Sequence, residues 1–426
     1  MNIFEIDGPC KLSGTVEISG AKNAALPIMA AAVLGNGKTL LESVPDIADI
    51  RTMFELLDSI GVKCKRLENG KVEVDASSID NPVGDYDIVR KMRASFCIIG
   101  PLLARCGQAR VSLPGGCSSF GHRPVDIHLK GLRALGAEIS IENGYVTARV
   151  PEGGLVGTEI FLGGTNGPTV LGTANVLMAA SMAKGTTVLE YAACEPEIQD
   201  MAIFMKKMGA KISGIGTQTL TVEGVDELKP VEHRIIPDRI EAGTFMVGAV
   251  MTQSQITISN CCPEHLRAPI DCLRQMGTRI CVDKDSMEVS HTGKIRPAHL
   301  TTQPYPGFPT DLQAQFMAML CLASGNSFIT EKIFPERFSH VAELNRLSAE
   351  INKVGSSVVI SGRETLLGAP VMASDLRASA ALVLAGLAAE GKTIVNRVYH
   401  IDRGYEDIVS KLQALGAAIE RKHIDD

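Results

Sequence analysis

The sequence predicts an α/β fold made of six repeats, and three observations support this prediction. A motif of glycine, a small or β-branched residue, a polar residue and an apolar residue recurs about every 70 residues along the chain. Each copy follows an amphipathic helical pattern and precedes two β-type runs. Each repeat also contains a helical pattern that is apolar nearly all round. The copies begin at Gly61, Gly136, Gly209, Gly277, Ser348 and Gly416, and the fifth copy is degenerate.

The first repeat shows the order of the elements. A β-type run, Thr39–Ser43, leads into a helical pattern whose apolar residues recur from Ile50 to Ile60. Gly61 can adopt the left-handed conformation that ends such a helix. The Asn-Gly pairs at 69–70 and 143–144 are typical of hairpin turns, so two strands are predicted to follow the helix.

The second helix of each repeat is rich in alanine and apolar on almost every side. A helix of this kind is buried, so we expect inner helices that pack together behind the sheets. The six patterns begin at Ala21, Met92, Thr169, Arg239, Asp311 and Asp375.

The first turns of these apolar helices carry charged and amide side chains. Buried charges are costly unless they face a polar cavity or one another. Helix N-termini also present free N–H groups and positive dipole ends, which attract anions. The pattern therefore predicts an anion site formed by these turns. The residues concerned are Lys22, Asn23, Arg93, Arg239, Asp311, Asp375 and Arg377.

Composition excludes several classes of protein. The 42 Lys and Arg against 48 Asp and Glu give a net charge of −6 without a long block of like charge, which argues against nucleic-acid and membrane partners. The 11 cysteines include no C-x-x-C pair, so a disulfide framework or zinc site is disfavoured and a reducing compartment is favoured. Apolar stretches reach only about a dozen residues, and the N-terminus lacks a signal pattern. We expect a soluble, cytoplasmic protein.

Two other functions are disfavoured by the same patterns. The expression GxxxxGK[ST] matches residues 386–393, but there it closes an Ala-rich helix and opens a strand. A phosphate loop follows a strand and opens a helix, so nucleotide hydrolysis is not predicted. A ring that encircles DNA would need basic inner helices, whereas these are apolar.

One glycine- and proline-rich segment is predicted to be a functional loop. Five of the fourteen residues from 113 to 126 are Gly or Pro. Cys117 lies near His122 and Arg123 in sequence, and such neighbours can lower the pKa of a thiol. We therefore expect a reactive thiol, with an inert loop cysteine as the alternative.

Three further clusters are candidates for chemistry. Asp311 opens an apolar helix after two prolines, so it is either an N-cap or a functional carboxylate. Arg337 lies in the segment 333–340, and Arg403 lies in the segment 399–406. For both arginines, surface ion pairs are the alternative.

Eight motifs in order along the chain carry a resemblance. Together they resemble the UDP-N-acetylglucosamine 1-carboxyvinyltransferases, a family of enolpyruvyl transferases, essentially from end to end. The motifs are SGAKNAALP (19–27), KMRAS (91–95), LPGGC…RPVD (113–126), PDRIEAGTF (237–245), FPTDLQAQF (308–316), ERFSHVAEL (336–344), DLRASAALVLAG (375–386) and HIDRGYE (400–406).

The resemblance implies a fold and a domain division. The implied fold is a two-lobed, pseudo-symmetric, inside-out α/β barrel built from six βαβαββ repeats. Residues 22–235 would form lobe 1, with three repeats and the Cys117 loop. Residues 1–21 and 236–426 would form lobe 2, which would carry Asp311, Arg337, Arg377 and Arg403.

The resemblance also implies a reaction. The enolpyruvyl group of phosphoenolpyruvate would pass to the 3-hydroxyl of UDP-N-acetylglucosamine by addition and elimination, with release of phosphate. This is the first committed step of peptidoglycan precursor synthesis, which cell-wall biogenesis, cell shape and cell division require. Fosfomycin, an epoxide, would alkylate Cys117. No cofactor and no metal would be needed.

The resemblance assigns roles to particular residues. Cys117 would be the general acid, and Asp311 would orient or deprotonate the sugar hydroxyl. Lys22, Arg123 and Arg403 would hold phosphate, and Arg337 with Arg377 would hold the carboxylate of phosphoenolpyruvate, because the arginine fork is bidentate. The catalytic set would be Cys117, Asp311, Lys22 and Arg403. Contacts to the sugar nucleotide would come from Asn23, Arg93, Arg123, Pro124, Val125, Asp126, Ile127, Pro168, Thr169, Val170, Asp311 and Ile333.

Two segments depart from the family pattern. Five residues separate Cys117 from Arg123 where the family usually has four, and Gly163–Val170 replaces a serine-valine-glycine pattern. The acceptor therefore stays open between UDP-N-acetylglucosamine and, as the alternative, shikimate 3-phosphate or a nucleoside used by a sibling transferase.

Overall fold

The computed structural model describes residues 2–114, 125–165 and 167–424. The described residues fall into two compact units. Unit N comprises the described part of residues 20–236, and unit C comprises residues 2–19 and 237–424. Each unit has a hydrophobic core of its own.

The described residues contain 26 strands. In chain order these are β1 Asn2–Gly8, β2 Ser13–Glu17, β3 Lys38–Glu42, β4 Lys63–Arg66, β5 Val72–Asp75, β6 Val83–Gly84, β7 Gln108–Ser112, β8 Glu138–Glu142, β9 Tyr145–Arg149, β10 Glu159–Phe161, β11 Gly163–Gly164, β12 Gly167–Pro168, β13 Thr186–Glu190, β14 Lys211–Ser213, β15 Thr219–Glu223, β16 Glu232–Arg234, β17 Gln255–Ser259, β18 Arg279–Val282, β19 Ser286–Ser290, β20 His299–Thr301, β21 Asn326–Thr330, β22 Glu350–Val354, β23 Ser357–Ser361, β24 Pro370–Met372, β25 Gly391–Asn396 and β26 Ile419–His423.

Thirteen α-helices and four 3-10 helices lie in the same residues. The α-helices are α1 Lys22–Ala32, α2 Ala48–Ser59, α3 Tyr86–Val89, α4 Ile99–Cys106, α5 Asp126–Ala134, α6 Val170–Ala180, α7 Pro196–Met208, α8 Arg239–Met251, α9 Arg267–Gln275, α10 Gln313–Leu320, α11 Val341–Arg346, α12 Leu376–Ala388 and α13 Ile408–Ala414. The 3-10 helices are Arg93–Ile98, Pro263–Leu266, Thr310–Leu312 and Val398–Arg403. No helix in the described part of the chain is long and apolar enough to cross a membrane.

Six four-stranded sheets in the described residues share one pattern, in which a parallel pair of strands is followed by two antiparallel pairings. Unit N holds the sheets β16-β3-β5-β4, β6-β7-β9-β8 and β10-β13-β15-β14. Unit C holds the sheets β2-β17-β19-β18, β20-β21-β23-β22 and β24-β25-β1-β26.

The turns follow from particular residues. Asn69 and Gly70 both have positive φ, as do Asn143 and Gly144, so each predicted Asn-Gly pair joins two antiparallel strands as expected of hairpin turns. The motif positions that end the amphipathic helices are also left-handed, with φ of 98° at Gly61 and 68° even at Ser348. The prediction for these turns is confirmed.

The apolar helices are buried as predicted. Every residue of α10 is buried, and in α12 burial extends from Leu376 to Leu387. The segment that matches the phosphate-loop expression runs from the end of α12 into β25, as its rejection required.

Two of the predicted apolar helices begin differently from a regular α-helix. The helix expected from Met92 opens with the 3-10 helix Arg93–Ile98, and the helix expected from Asp311 opens within the 3-10 helix Thr310–Leu312. In the first case the side-chain amide of Asn175 takes the place of the helical hydrogen bond between Gly100 N and Phe96 O. Its Oδ1 accepts from Gly100 N at 3.0 Å, and its Nδ2 donates to Phe96 O at 3.0 Å.

Candidate active site

The predicted residues of unit C that the structure brings into contact are Asp311, Arg337 and Arg377. Arg337 Nη1 donates to Asp311 Oδ1 at 2.8 Å, while Arg377 donates to Asp311 Oδ2 through Nη2 at 2.9 Å and Nε at 3.3 Å. Asp311 lies in the 3-10 helix that precedes α10, and Arg377 lies in the first turn of α12. The first turns of two apolar helices and the loop after β21 therefore meet at one carboxylate.

Electrostatics hold this cluster in its charged form. The Arg337 and Arg377 side chains are 6% and 3% exposed, and that of Asp311 is 26% exposed. Burial by itself raises the pKa of Asp311, but the charges of Arg377 and Arg337 outweigh it and hold that pKa well below its usual range. For Arg377, burial lowers the pKa and Asp311 raises it, with a net increase. Asp311 is therefore anionic and Arg377 cationic at neutral pH.

The cluster has a spare donor. Two arginines share one carboxylate, and Arg377 Nη1 is buried without a close hydrogen-bond partner among the described residues, although the guanidinium also interacts with Tyr405. A buried guanidinium donor without a partner is costly, so it favours a further acceptor such as a substrate carboxylate. The predicted anion clamp of Arg337 and Arg377 fits this arrangement.

Neighbouring groups fix the orientation of Arg377. Asp375 caps α12, because its Oδ1 accepts from Arg377 N at 2.9 Å and Ala378 N at 3.1 Å. The Arg377 guanidinium carbon lies 5.5 Å from the centre of the Tyr405 ring. Tyr405 Oη is in turn hydrogen bonded to Thr244 Oγ1 at 2.8 Å. Asp375 is therefore the N-cap of α12, whereas no side-chain hydrogen bond caps α10 or the 3-10 helix Thr310–Leu312, so Asp311 does not act as an N-cap.

The structure places Arg403 and Ile333 in unit C as well. Arg403 is the last residue of the 3-10 helix Val398–Arg403 and is partly buried. Ile333 follows β21 and is also partly buried, and its amide donates to Glu331 Oε1 at 2.8 Å. Sequence reasoning missed Glu331. The available signal was an acidic residue placed directly after a β-type run and before the segment 333–340.

In unit N, Lys22 forms a buried ion pair. It is the first residue of α1, and its Nζ donates to Asp49 Oδ2 at 3.1 Å. The side chains are 10% and 5% exposed, and Asn23 beside Lys22 is partly buried. Sequence reasoning missed Asp49, whose signal is an acid in the first turn of an amphipathic helix.

Two predicted sugar-nucleotide segments lie against each other in unit N. The strands β11 and β12 form a hairpin that carries Pro168. A Cβ built at Gly164 would lie 2.6 Å from Ile127 Cδ1, so Ile127 packs directly on this hairpin and would have to shift to admit a larger residue there. Thr169 caps α6 by accepting from Gly172 N at 3.2 Å, and Val170 begins that helix. On the helix α5 side, Val125 is buried and Asp126 is exposed.

Arg93, another residue predicted to contact the sugar nucleotide, opens the 3-10 helix Arg93–Ile98. Burial lowers the pKa of Arg93, which is partly exposed. Burial and, to a smaller extent, the charge of Arg93 lower the pKa of His128 to about 3. Because Asn175 Nδ2 donates to His128 Nδ1 at 2.8 Å, His128 is neutral with its proton on Nε2.

Three predicted site residues, Cys117, Arg123 and Pro124, lie outside the described residues. Several described cysteines are poor nucleophiles, because desolvation raises the pKa of Cys64, Cys97, Cys261 and Cys321 to about 12. Within residues 2–114, 125–165 and 167–424, no group of three His, Cys, Asp or Glu side chains is placed to hold a metal ion.

Comparison with known sequences gives consistent matches over the full length. A family model for EPSP synthase (3-phosphoshikimate 1-carboxyvinyltransferase) matches residues 6–412. A relative from Psychrobacter sp. (strain PRwf-1), named UDP-N-acetylglucosamine 1-carboxyvinyltransferase, is 50% identical over 422 residues, which cover 99% of this chain and 96% of the relative. A relative of the same name from Methylacidiphilum infernorum (isolate V4) is 53% identical over 422 residues, or 99% of both chains.

Comparison with solved structures supports the same fold. The enolpyruvyl transferase NikO from Streptomyces tendae superposes with a TM-score of 0.89 at 26% identity, over 100% of this chain and 99% of that chain. An EPSP synthase from Acinetobacter baumannii gives a TM-score of 0.78 at 17% identity, over 99% and 100% of the two chains, and this match bears on the fold alone. The mixed α/β architecture is that of the enolpyruvyl transferases.

Proposed function

The chain belongs to the EPSP synthase family of enolpyruvyl transferases, and on this premise we propose that it transfers the enolpyruvyl group of phosphoenolpyruvate to the 3-hydroxyl of UDP-N-acetylglucosamine. The observation that carries the proposal for the site is the Asp311, Arg337 and Arg377 cluster with its unpartnered Arg377 donor. The acceptor follows from relatives at about half identity along the whole chain.

The reaction needs an anion clamp. In our proposal the carboxylate of phosphoenolpyruvate binds Arg337 and Arg377, and its phosphate binds Lys22, Arg123 and Arg403. Asn23, Arg93, the segment 123–127, the segment 168–170 and Ile333 contact the sugar nucleotide. The packing of Ile127 on the β11–β12 hairpin supports a single binding surface for two of these segments.

The addition step moves one proton to carbon and one from oxygen. The sugar 3-hydroxyl oxygen bonds to C2 of phosphoenolpyruvate, its proton goes to Asp311, and the Cys117 thiol protonates C3. Elimination then breaks the bond between C2 and the phosphate oxygen. The Cys117 thiolate takes a proton back from C3, which restores the double bond, and the proton held by Asp311 passes to the departing phosphate. Phosphate leaves and no cofactor is consumed.

The charges around Asp311 explain how so weak a base serves this step. In the structure, Arg377 and Arg337 hold the pKa of Asp311 well below its usual range. A substrate carboxylate that binds the two arginines adds a negative charge beside Asp311 and raises its pKa again. Substrate binding therefore prepares Asp311 to accept the hydroxyl proton.

We also propose the finer architecture that the resemblance implies. Each four-stranded sheet with its two helices corresponds to one βαβαββ repeat, with three repeats in lobe 1 (22–235) and three in lobe 2 (1–21 and 236–426). The common strand pattern of the six sheets and the bounds of the two compact units support this assignment. In the cell the reaction would occur in the cytoplasm and commit the sugar nucleotide to peptidoglycan, with consequences for cell shape and division.

Phosphate release tests the function. We expect release from phosphoenolpyruvate only when UDP-N-acetylglucosamine is present, and none with shikimate 3-phosphate. Turnover with shikimate 3-phosphate alone would favour the sibling transferase, and no turnover with either acceptor would overturn the proposal.

Fosfomycin tests the role of Cys117. We expect wild-type protein to be inactivated covalently, and Cys117→Ala to lose most turnover and to take up no adduct in mass spectrometry. An adduct of equal yield on Cys117→Ala would remove Cys117 from its role.

A further inference from the structure

We propose that Glu331 is a positioning residue that orients Arg337 toward Asp311 through the hydroxyl of Thr310. This proposal rests on the proposed function, since it concerns how the carboxylate clamp for phosphoenolpyruvate is held in place. Glu331 is fully buried, with 0% exposure, directly after β21.

The Glu331 carboxylate accepts four hydrogen bonds. Its Oε1 accepts from Thr302 Oγ1 at 2.6 Å, from Ile333 N at 2.8 Å and from Phe334 N at 3.0 Å. Its Oε2 accepts from Thr310 Oγ1 at 2.9 Å. In the described residues no cation forms an ion pair with this carboxylate, so hydroxyl and amide dipoles alone stabilise it. Burying a carboxylate costs free energy, and this cost is offset only when well-placed donors satisfy both of its oxygens.

The Thr310 hydroxyl has a defined direction because of Glu331. A carboxylate can only accept, so Thr310 must donate its proton to Glu331 Oε2. Its lone pairs then face Arg337, whose Nη1 donates to Thr310 Oγ1 at 2.9 Å. The same Nη1 donates to Asp311 Oδ1 at 2.8 Å. Glu331 therefore orients the Thr310 hydroxyl, which in turn orients the Arg337 guanidinium toward Asp311.

The backbone contacts give Glu331 a second point of control. Its hold on the Ile333 and Phe334 amides fixes the start of the loop that leads to Arg337, whose guanidinium carbon lies 5.7 Å from the centre of the Phe334 ring. Both the loop and the Asp311 turn therefore depend on one carboxylate.

Three substitutions separate these contacts. Thr310→Val removes the hydroxyl link alone, Thr310→Ser restores a hydroxyl, and Glu331→Gln reverses the link, because an amide NH₂ facing Thr310 donates where the carboxylate accepted. Thr393→Val is the control: Thr393 lies in unit C like Thr310 and is even more deeply buried, but its hydroxyl has no hydrogen-bond partner in the described residues.

The measurement is steady-state phosphate release with each substrate varied in turn. We expect Thr310→Val to raise KM for phosphoenolpyruvate about tenfold and KM for the sugar nucleotide less than threefold, since the partly buried hydrogen bonds of the Thr310 hydroxyl are lost. Thr310→Ser should recover most of the loss. The double variant Glu331→Gln with Thr310→Val should raise KM for phosphoenolpyruvate no more than the more impaired of the two single variants does. The two changes are not additive because both interrupt the same chain of hydrogen bonds. A purely structural role would instead change stability without this KM split.

The outcomes distinguish the two proposals. If the wild-type protein turns over but Thr310→Val behaves like Thr393→Val, or if the Glu331→Gln and Thr310→Val effects multiply, the positioning role is overturned and the function stands. If Thr310→Val does not fold, the Glu331→Gln KM split decides in the same way. If the wild-type protein releases no phosphate with either acceptor, the function fails and the positioning role fails with it.

Discussion

Each compact unit places charged residues at the first turn of a buried helix, but the two units balance those charges differently. In unit N, Lys22 of α1 forms an ion pair with Asp49 at 3.1 Å. In unit C, two arginines meet the single carboxylate of Asp311, and one guanidinium nitrogen has no partner among the described residues. The buried Arg377 nitrogen without a partner leaves the cluster in unit C with capacity for another anion. The cluster in unit C is therefore the stronger candidate for binding the substrate carboxylate.

Removal of Arg377 should have the largest effect. Arg377→Ala deletes the spare donor and leaves Asp311 with one arginine, so we expect kcat/KM for phosphoenolpyruvate to fall by about 10³. Arg363→Ala is the control, because Arg363 belongs to an exposed pair with Glu350 in the same unit and should change kcat/KM less than twofold. Steady-state kinetics of both variants measure this, and a loss below tenfold for Arg377→Ala would contradict the clamp.

Asp311→Asn should cause the second-largest loss of activity. The amide cannot take the hydroxyl proton, so we expect kcat to fall by about 10² while KM for phosphoenolpyruvate changes little, because both arginines remain. The control is Asp271→Asn, at an exposed carboxylate that accepts from Gln275. Pre-steady-state and steady-state rates give kcat, and near-normal kcat would remove Asp311 from proton transfer.

Asp49→Asn tests the Lys22–Asp49 ion pair of unit N. Loss of the charge leaves Lys22 less well held, and we expect kcat/KM for phosphoenolpyruvate to fall about tenfold, less than for either change in unit C. Glu73→Gln is the matched control, since Glu73 pairs with Lys38 at the surface of the same unit. An effect larger than that of Arg377→Ala would reverse the comparison between the units.

One buried histidine in each unit provides the test with the smallest expected effect, and the same effect is expected in both units. Burial, with a smaller effect of Arg93, lowers the pKa of His128 in unit N to about 3, and burial lowers that of His340 in unit C to about 4. A histidine whose folded pKa is depressed stabilises the fold above its unfolded pKa of about 6.5 and loses that contribution as pH falls toward the folded value. Below pH 6.5 we expect the free energy of unfolding to fall by roughly 1 kcal/mol per pH unit for each of the two histidines.

Urea unfolding at pH 7 and pH 4.5 measures this dependence. His128→Gln and His340→Gln should each reduce the stability lost between the two pH values. An unchanged pH dependence in both variants would show that neither histidine is buried in its neutral form.

The repeat motif was predictable because local backbone requirements are written in short patterns. A left-handed residue after each amphipathic helix favours glycine, and five of the six motif positions are glycine, while Ser348 adopts the same conformation. The burial of the apolar helices follows from composition in the same way, and so does the presence of charge at their first turns.

Long-range pairings were not predictable from local patterns. Asn175 replaces a helical hydrogen bond 75 residues away at Gly100, and no pattern at either position announces it. The partners Asp49 and Glu331 are likewise distant from the residues they serve. Asp311 illustrates the limit best, because its sequence context fits an N-cap, whereas only the fold brings Arg337 and Arg377 to its two oxygens.

Isotope transfer tests the central claim most directly. Phosphoenolpyruvate carrying ¹⁸O in the bridge between C2 and phosphorus is incubated with the protein and UDP-N-acetylglucosamine, and the products are analysed by mass spectrometry. Addition and elimination break the bond between carbon and the bridging oxygen, so we expect all of the label in released phosphate and an enolpyruvyl group on the sugar nucleotide. Label retained in pyruvate, with an unmodified sugar nucleotide, would contradict the account.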